Sequence, residues 1–411
     1  MKKVFSEHIK VGIDIGTTKI VVLISKMKHD GSLEILASGK AASLGLKRGV
    51  VVDVEKTVNS IKLALQEAEF VAGMAIEHAV IGISGSHIQS FNSHGAVPIK
   101  KRVVQQSDIS AVLNAAQAVA IAEGQQILHV LPRFYRIDNS DRIQNPIGMS
   151  GVRLETEVHI ITASVTAVQN LISCCERAGI KVDDIVLEHI ASALSVCSQD
   201  ELDLGVGILD IGGGTSDFAV YQHGAIVHTH VIPVAGNMFT SDVAIGLQTT
   251  IQEAERIKEQ YGTAELVLDD SLEEISIVKV HGLSSSMIHK NDIAAILQPR
   301  SEELFSMLHR VIRDHSLYEN MITGLVLTGG GSLLQGIPNI AYKKLLVPVR
   351  VGKPHVQHYL PQSLSSPVYA TAYGLILYAW KGSSSHALHQ LQGPMINRVF
   401  QRMKMWVADF F

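Results

Sequence analysis

The stretch Asp14-Ile15-Gly16-Thr17-Thr18-Lys19 decides the fold, because it returns as Asp210-Ile211-Gly212-Gly213-Gly214-Thr215-Ser216-Asp217. Each copy follows an apolar run, Val11-Gly12-Ile13 and Val206-Gly207-Ile208-Leu209, and each precedes another, Ile20 to Ile24 and Phe218 to Tyr221. The pattern predicts strand, tight polar turn, strand, made twice. In such a turn the backbone N–H groups lack ladder partners, and glycine lets the chain come close to a phosphate. Thr17, Thr18, Thr215 and Ser216 add hydroxyl donors, and Lys19 adds a positive charge. Asp14 and Asp210 close their strands, where carboxylates can hold Mg²⁺ through water. A single Asp-x-Gly turn is explained by hairpin geometry alone. Two copies in matching contexts point to a nucleotide triphosphate held between two related halves. No Walker loop is present.

The repeat extends beyond the turns. Leu33 to Gly39 and Ala225 to Val234 read as third strands, and a helix is expected after each. Val58, Ile61, Leu65 and Ala68 share one face of the first helix; Val243, Leu247, Ile251, Ala254 and Ile257 share one face of the second. A duplicated β-β-β-α unit accounts for this spacing. A third glycine-rich element, Leu325-Val326-Leu327-Thr328-Gly329-Gly330-Gly331-Ser332, runs from an apolar strand toward a helix and would floor the nucleoside. Glu255 and Lys258, three apart on the helix after the second turn, either reach a ribose or form a surface ion pair.

A chain of 411 residues is long enough for two or more domains. A net charge of −4 argues against a general nucleic-acid binder. No run approaches the length of a transmembrane span. Lys2 and Lys3 resemble the start of a signal peptide, but Asp14 and Lys19 interrupt the apolar stretch that would follow, so a cytoplasmic location is expected. Cys174, Cys175 and Cys197 suit a reducing compartment, the first two as small apolar residues in a helix. The pairs His355/His358 and His386/His389 have no acidic or cysteine companions and read as solvated. Hydrolase-triad and zinc-peptidase motifs are absent.

Ser84 to Ile161 reads as a small α+β insert. It holds strand-like Gly95 to Ile99, helix-like Ser107 to Ala122, strand-like Ile127 to Leu131 and a loop at Asn145 to Gly151. Glu157 to Thr162 is expected to return to the main body as a strand. Thr166 to Ala178 reads as a helix and Ile180 to Val186 as an edge strand, while Ala191 to Cys197 and Tyr369 to Trp380 are expected to cross between the halves. The polar tract 382–397 reads as a linker. Beyond it, Val399, Met403, Trp406 and Phe410 recur at helical spacing, widened by Phe400, Val407 and Phe411, with Arg398, Arg402 and Lys404 on the other face. A basic, aromatic-rich amphipathic helix on a tether suits an in-plane membrane anchor, and many tails acting together would strengthen it.

These stretches resemble the actin-like ATPase superfamily and, within it, the FtsA family of bacterial cell-division proteins. Carrying the closer resemblance are Gly12 to Lys19, Asn145 to Glu155, Val158 to Thr162, Asp210 to Asp217, Leu327 to Gly331 and the terminal amphipathic stretch. The resemblance implies an α/β fold of duplicated actin-like (ribonuclease H-like) domains around a nucleotide cleft, with ATP and Mg²⁺ as cofactors. Asp14, Gly16, Thr17, Thr18 and Lys19 match the first phosphate motif. Gly212, Gly213, Gly214, Thr215 and Asp217 match the second, and Gly329, Gly330 and Gly331 match the adenosine motif. It further implies filament formation, with the insert taking part in filament contacts. The family tethers the tubulin-like FtsZ to the cytoplasmic face of the inner membrane at the division site and recruits later division proteins. Arg300, in Pro299-Arg300-Ser301-Glu302-Glu303, is the candidate contact for the acidic FtsZ tail, although Gln298 departs from the family pattern and 262–286 matches poorly. The expected division is a first actin-like subdomain at 1–83, 162–194 and 366–381, an insert at 84–161, a second actin-like subdomain at 195–240 and 310–365, and an FtsZ-binding subdomain at 241–309. The linker at 382–397 and the membrane helix at 398–411 follow. A sugar kinase or a pilus-assembly scaffold on the same fold are the alternatives. Hydrolysis is expected to be slow at best, with Asp210 the candidate for positioning Mg²⁺ or water.

Overall fold

The computed structural model describes residues 9–28, 30–266, 274–280, 285–355 and 360–381. The first half opens with the meander β1 (Ile9–Ile15), β2 (Lys19–Met27) and β3 (Leu33–Ala42). A small hairpin follows, β4 (Leu46–Lys47) and β5 (Val50–Val51), then α1 (Val54–Ala72) and β6 (His78–Ile83). Asp53 caps α1 by accepting from Lys56 N–H, and Gly73 ends it in the left-handed conformation. Its Val58, Ile61, Leu65 and Ala68 are buried, as their helical spacing predicts.

The insert comprises β7 (Gln89–Pro98), α2 (Gln106–Gln117), β8 (Gln125–Ile137) and β9 (Arg153–Ser164). Its sheet has the order β7-β9-β8, all antiparallel. The expectation that Glu157 to Thr162 returns to the main body is corrected here: β9 is the central strand of the insert's own sheet. The helix ends at Gln117 rather than Ala122, and β8 runs well beyond Ile127 to Leu131, with a register shift at Pro132 that lets a residue without an N–H remain in the strand. The body resumes with α3 (Val165–Arg177), β10 (Lys181–Leu187) and α4 (Glu188–Val196). Cys174 and Cys175 lie buried on α3.

The second half repeats the plan. After α5 (Gln199–Leu204) come β11 (Val206–Ile211), β12 (Ser216–Gln222) and β13 (Ala225–Ile232). The single helix expected next is two: α6 (Gly236–Leu247) and α7 (Ile251–Tyr261). Gln248 turns left-handed at φ 52°, and Thr250 caps α7 by accepting from Glu253 N–H. Ile251 is therefore 61% exposed instead of sharing a buried face with Val243. Strands β14 (Glu274–Val278) and β15 (Ser285–His289) pair with each other, and the long α8 (Lys290–Asp314) follows. Then come β16 (Leu325–Thr328), α9 (Ile337–Leu345), β17 (Val349–Val351) and α10 (Ala370–Lys381). The helix expected directly after Thr328 is a short 3-10 turn, Gly330–Leu333, with α9 beginning later.

The two main sheets have one topology: β10-β6-β1-β2-β3 and β13-β12-β11-β16-β17. In each, a three-strand antiparallel meander gains two parallel strands on its first member. Apolar residues on these strands form the core, with Ile13, Ile20, Ile24 and Ile81 fully buried in one half and Leu209, Ile211 and Phe218 in the other. Helices α4 and α10 join the halves. They cross so closely that a Cβ on Gly374 would stand 1.8 Å from the Ala191 carbonyl oxygen. Ser195 Oγ donates to Ala370 O across this crossing at 2.7 Å.

Candidate functional site

Each β-turn-β repeat ends its first strand with an aspartate, and the matched topology brings both turns to one crevice. Its lining includes Asp14 to Lys19, Asp210, Gly212 to Thr215, Gly329 and Gly330. The tips touch: a Cβ on Gly213 would lie 2.2 Å from Thr18 Cγ2, and one on Gly214 would lie 2.4 Å from Thr17 Oγ1. Only glycine permits that approach. The Gly212 and Gly213 carbonyls accept from Gly236 and Asn237 N–H at 2.9 and 2.8 Å, so the second turn is held by the start of α6. Among the described residues, the N–H groups of Thr17, Thr18, Gly213 and Gly214 have no hydrogen-bond partner. A cradle of unused donors beside Lys19 has the chemistry of a phosphate site.

The acids of the site are crowded. Asp14 and Asp210 are nearly fully buried, and Lys19 Nζ stands 3.6 Å from Asp14. Asp210 Oδ2 accepts from Thr371 at 3.1 Å and from Ser192, so helices α4 and α10 hold it between them. Burial raises the Asp14 carboxyl above its usual range, opposed by Lys19; burial also raises Asp210, opposed by the Ser192 hydrogen bond. A bound divalent cation would relieve this charge. Among the described residues no three His, Cys, Asp or Glu side chains converge; the carboxylate oxygens of Asp14 and Asp210 are hard donors of the kind that suits Mg²⁺.

Not every predicted residue lines the crevice. Asp217 lies behind the second turn, its Oδ2 accepting from Ser84 at 2.7 Å and Thr215 at 3.1 Å while Oδ1 has no partner. Burial pushes its carboxyl up to about 7. Gly331 packs on Ile211, where a Cβ would meet Cγ2 at 2.3 Å. Glu255 and Lys258 form the ion pair at 2.7 Å, and Lys258 Nζ also reaches Thr240 at 2.9 Å and Gly236 O at 3.4 Å. They stand beside the Gly212 side of the second turn rather than in the crevice lining. Arg300 sits on α8 with Nε and Nη2 donating to Asp242 at 2.6 and 3.0 Å and Nη1 to Glu303. His355 is exposed; His358, His386, His389 and the amphipathic residues Val399, Phe400, Met403, Trp406, Val407, Phe410 and Phe411 lie outside the described residues.

Sequence reasoning missed Glu188, Ser84, Gly49 and Thr371, all of which line the crevice. Glu188 opens α4, and burial, with Asp14, Asp217 and Asp210 nearby, lifts its carboxyl well above the usual range. Its signal is an acid at the junction of two apolar runs, Ile185 to Leu187 and Ile190 to Leu194. Ser84 directly follows β6 and carries no signal in the sequence; its Oγ meets Thr215 Oγ1 at 2.9 Å.

Twin five-stranded sheets of one topology, with their turns meeting at a polar crevice and two helices crossing behind it, define an actin-like fold. Solved structures agree. The PilM–PilN type IV pilus biogenesis complex gives a TM-score of 0.66 at 17% identity, covering 90% of this chain and 98% of that one. MreB5 of Spiroplasma citri bound to ADP gives 0.58 at 14% identity, covering 92% and 98%. The family model "Cell division protein FtsA" matches residues 207–374, and that of the SHS2 domain inserted in FtsA matches residues 85–162. The cell division protein FtsA of Pseudomonas aeruginosa is 43% identical over 100% of both chains. That of Neisseria meningitidis is 39% identical over 97% of this chain and 98% of its own, and that of Escherichia coli K12 is 35% identical over 94% and 93%. The chain belongs to the FtsA family of cell division proteins.

Proposed function

We propose that this chain binds ATP with Mg²⁺ in the crevice, polymerises, and links an FtsZ filament to the cytoplasmic face of the inner membrane while recruiting later division proteins. The observation that carries the reading is the pair of touching turns with unused N–H donors. In it, the backbone of Gly16 to Thr18 and Gly212 to Thr215 binds phosphate oxygens, and Lys19 balances their charge. Asp14 and Asp210 orient the waters around Mg²⁺, which supplies charge neutralisation at the phosphates. Glu255 and Lys258, paired beside the Gly212 end of the second turn, are near enough for a ribose lying at that end, and Gly329 and Gly330 floor the base. Glu188, whose carboxyl burial raises well above its usual range, also lines the crevice, and turnover is slow at best. The division into two actin-like subdomains, an insert at 84–161 and a partner-binding region at 241–309 belongs to the same reading.

In this reading Arg300 offers its remaining N–H donors to an acidic FtsZ tail while Asp242 fixes its orientation. The stretch 398–411 carries the chain to lipid. No helix among the described residues is long and apolar enough to cross a membrane; the amphipathic pattern of 398–411 suits a segment lying along a surface. Deleting 398–411 is expected to abolish sedimentation with anionic liposomes while leaving ATP affinity within twofold. Undiminished sedimentation of the truncated chain would refute the anchor.

A further inference from the structure

The small hairpin β4–β5, whose Gly49 lines the crevice, touches both turns with its tip. Arg48 and Gly49 join its strands, both left-handed, at φ 50° and 75°. A non-glycine residue there is uncommon. On one side Gly49 N–H donates to Thr17 Oγ1 at 3.1 Å. On the other, a Cβ on Gly214 would lie 3.0 Å from Arg48 Cα. Beneath, a Cβ on Gly49 would lie 2.3 Å from the Ser84 carbonyl oxygen, and Ser84 Oγ meets Thr215 Oγ1 at 2.9 Å. The tip is therefore wedged where the two turns meet, and Gly49 lines the crevice.

Position along the second turn sets what the tip would meet. The Gly212 end adjoins Gly236 and Lys258, the side assigned to the nucleoside, whereas the Gly214 end adjoins Arg48. A phosphate chain running from the first end to the second brings its terminal group to the tip. The titratable side chains already there are mostly acidic: Asp14, Asp210 and Glu188 line the crevice, and Lys19, the one lysine of its lining among the described residues, faces Asp14. Arg48 is exposed and, among the described residues, makes no ion pair. A guanidinium is suited to two oxygens of one phosphate.

The geometry points to Arg48 as a γ-phosphate contact, with the β4–β5 tip as the flap that distinguishes ATP from ADP. The inference rests on the ATP reading above. The test is equilibrium binding of fluorescent ADP and of a fluorescent non-hydrolysable ATP analogue, with Mg²⁺, to the full chain and to two variants. Arg48→Asn tolerates the left-handed backbone; Arg48→Lys keeps the charge. Arg48→Asn is expected to weaken the ATP analogue roughly 10- to 100-fold, the range for a charge-assisted hydrogen bond, with ADP affinity changed less than about twofold and Arg48→Lys recovering most of the loss. Unchanged affinity for the analogue, or equal losses for both nucleotides, would overturn the inference alone. Failure of the unaltered chain to bind either nucleotide would overturn it together with the ATP reading.

Discussion

At the scale of single residues the site is governed by burial of charge. Asp217 shows the consequence most directly, because its carboxyl has one satisfied and one unpaired oxygen and a folded-state pKa raised to about 7. For an acid whose folded pKa is raised, the folded state holds the proton more tightly than the unfolded chain. Its contribution to stability is full below the unfolded value near 4 and is lost as pH rises through about 7. Replacing it by Asn removes that dependence. The stability of the nucleotide-free parent relative to Asp217→Asn is expected to fall by up to about 1.4 kcal/mol per pH unit between about pH 5 and 7. Urea denaturation of both proteins across that range measures it; a constant difference would show that Asp217 stays ionised. The glycines, hydroxyls and strand-end aspartates of the turns were legible because they recur in sequence. Glu188 and Ser84 were not, since neither belongs to the repeated turn and each reaches the crevice only through the packing of α4 and β6.

At the scale of elements, the strands of both meanders were readable from short apolar runs between polar turns, and α1 from its buried face. The break between α6 and α7 was overlooked because the apolar spacing continues across it, although Thr250 and Glu253 carry a helix-start signature. The central place of β9 in the insert depends on which strands it pairs with, and apolar spacing alone does not specify partners. The crossing of α4 and α10 carries the most exacting packing. With the Ala191 oxygen 1.8 Å from where a Cβ would stand, Gly374→Ala must push the helices apart. Ser192 on α4 and Thr371 on α10 both bond Asp210, so the displacement reaches the crevice. The variant is expected to lose about 1–3 kcal/mol of stability and to bind ATP more weakly. Thermal denaturation and nucleotide titration check both, and a fully stable variant would mean that the crossing relaxes freely.

At the scale of the whole molecule, duplication explains why two sheets of one topology present two similar turns to each other, and why each departs from the plan by an insertion: β7 to β9 in the first half, α7 to α8 in the second. Family membership was legible because it rests on several separate stretches at once. The central claim is that both turns grip one nucleotide. A crystal structure of the chain with a non-hydrolysable ATP analogue and Mg²⁺ tests it most directly. The account predicts phosphate oxygens within about 3.2 Å of backbone nitrogens in both Gly16–Thr18 and Gly212–Thr215. A nucleotide held by one turn alone, or bound away from this crevice, would contradict it.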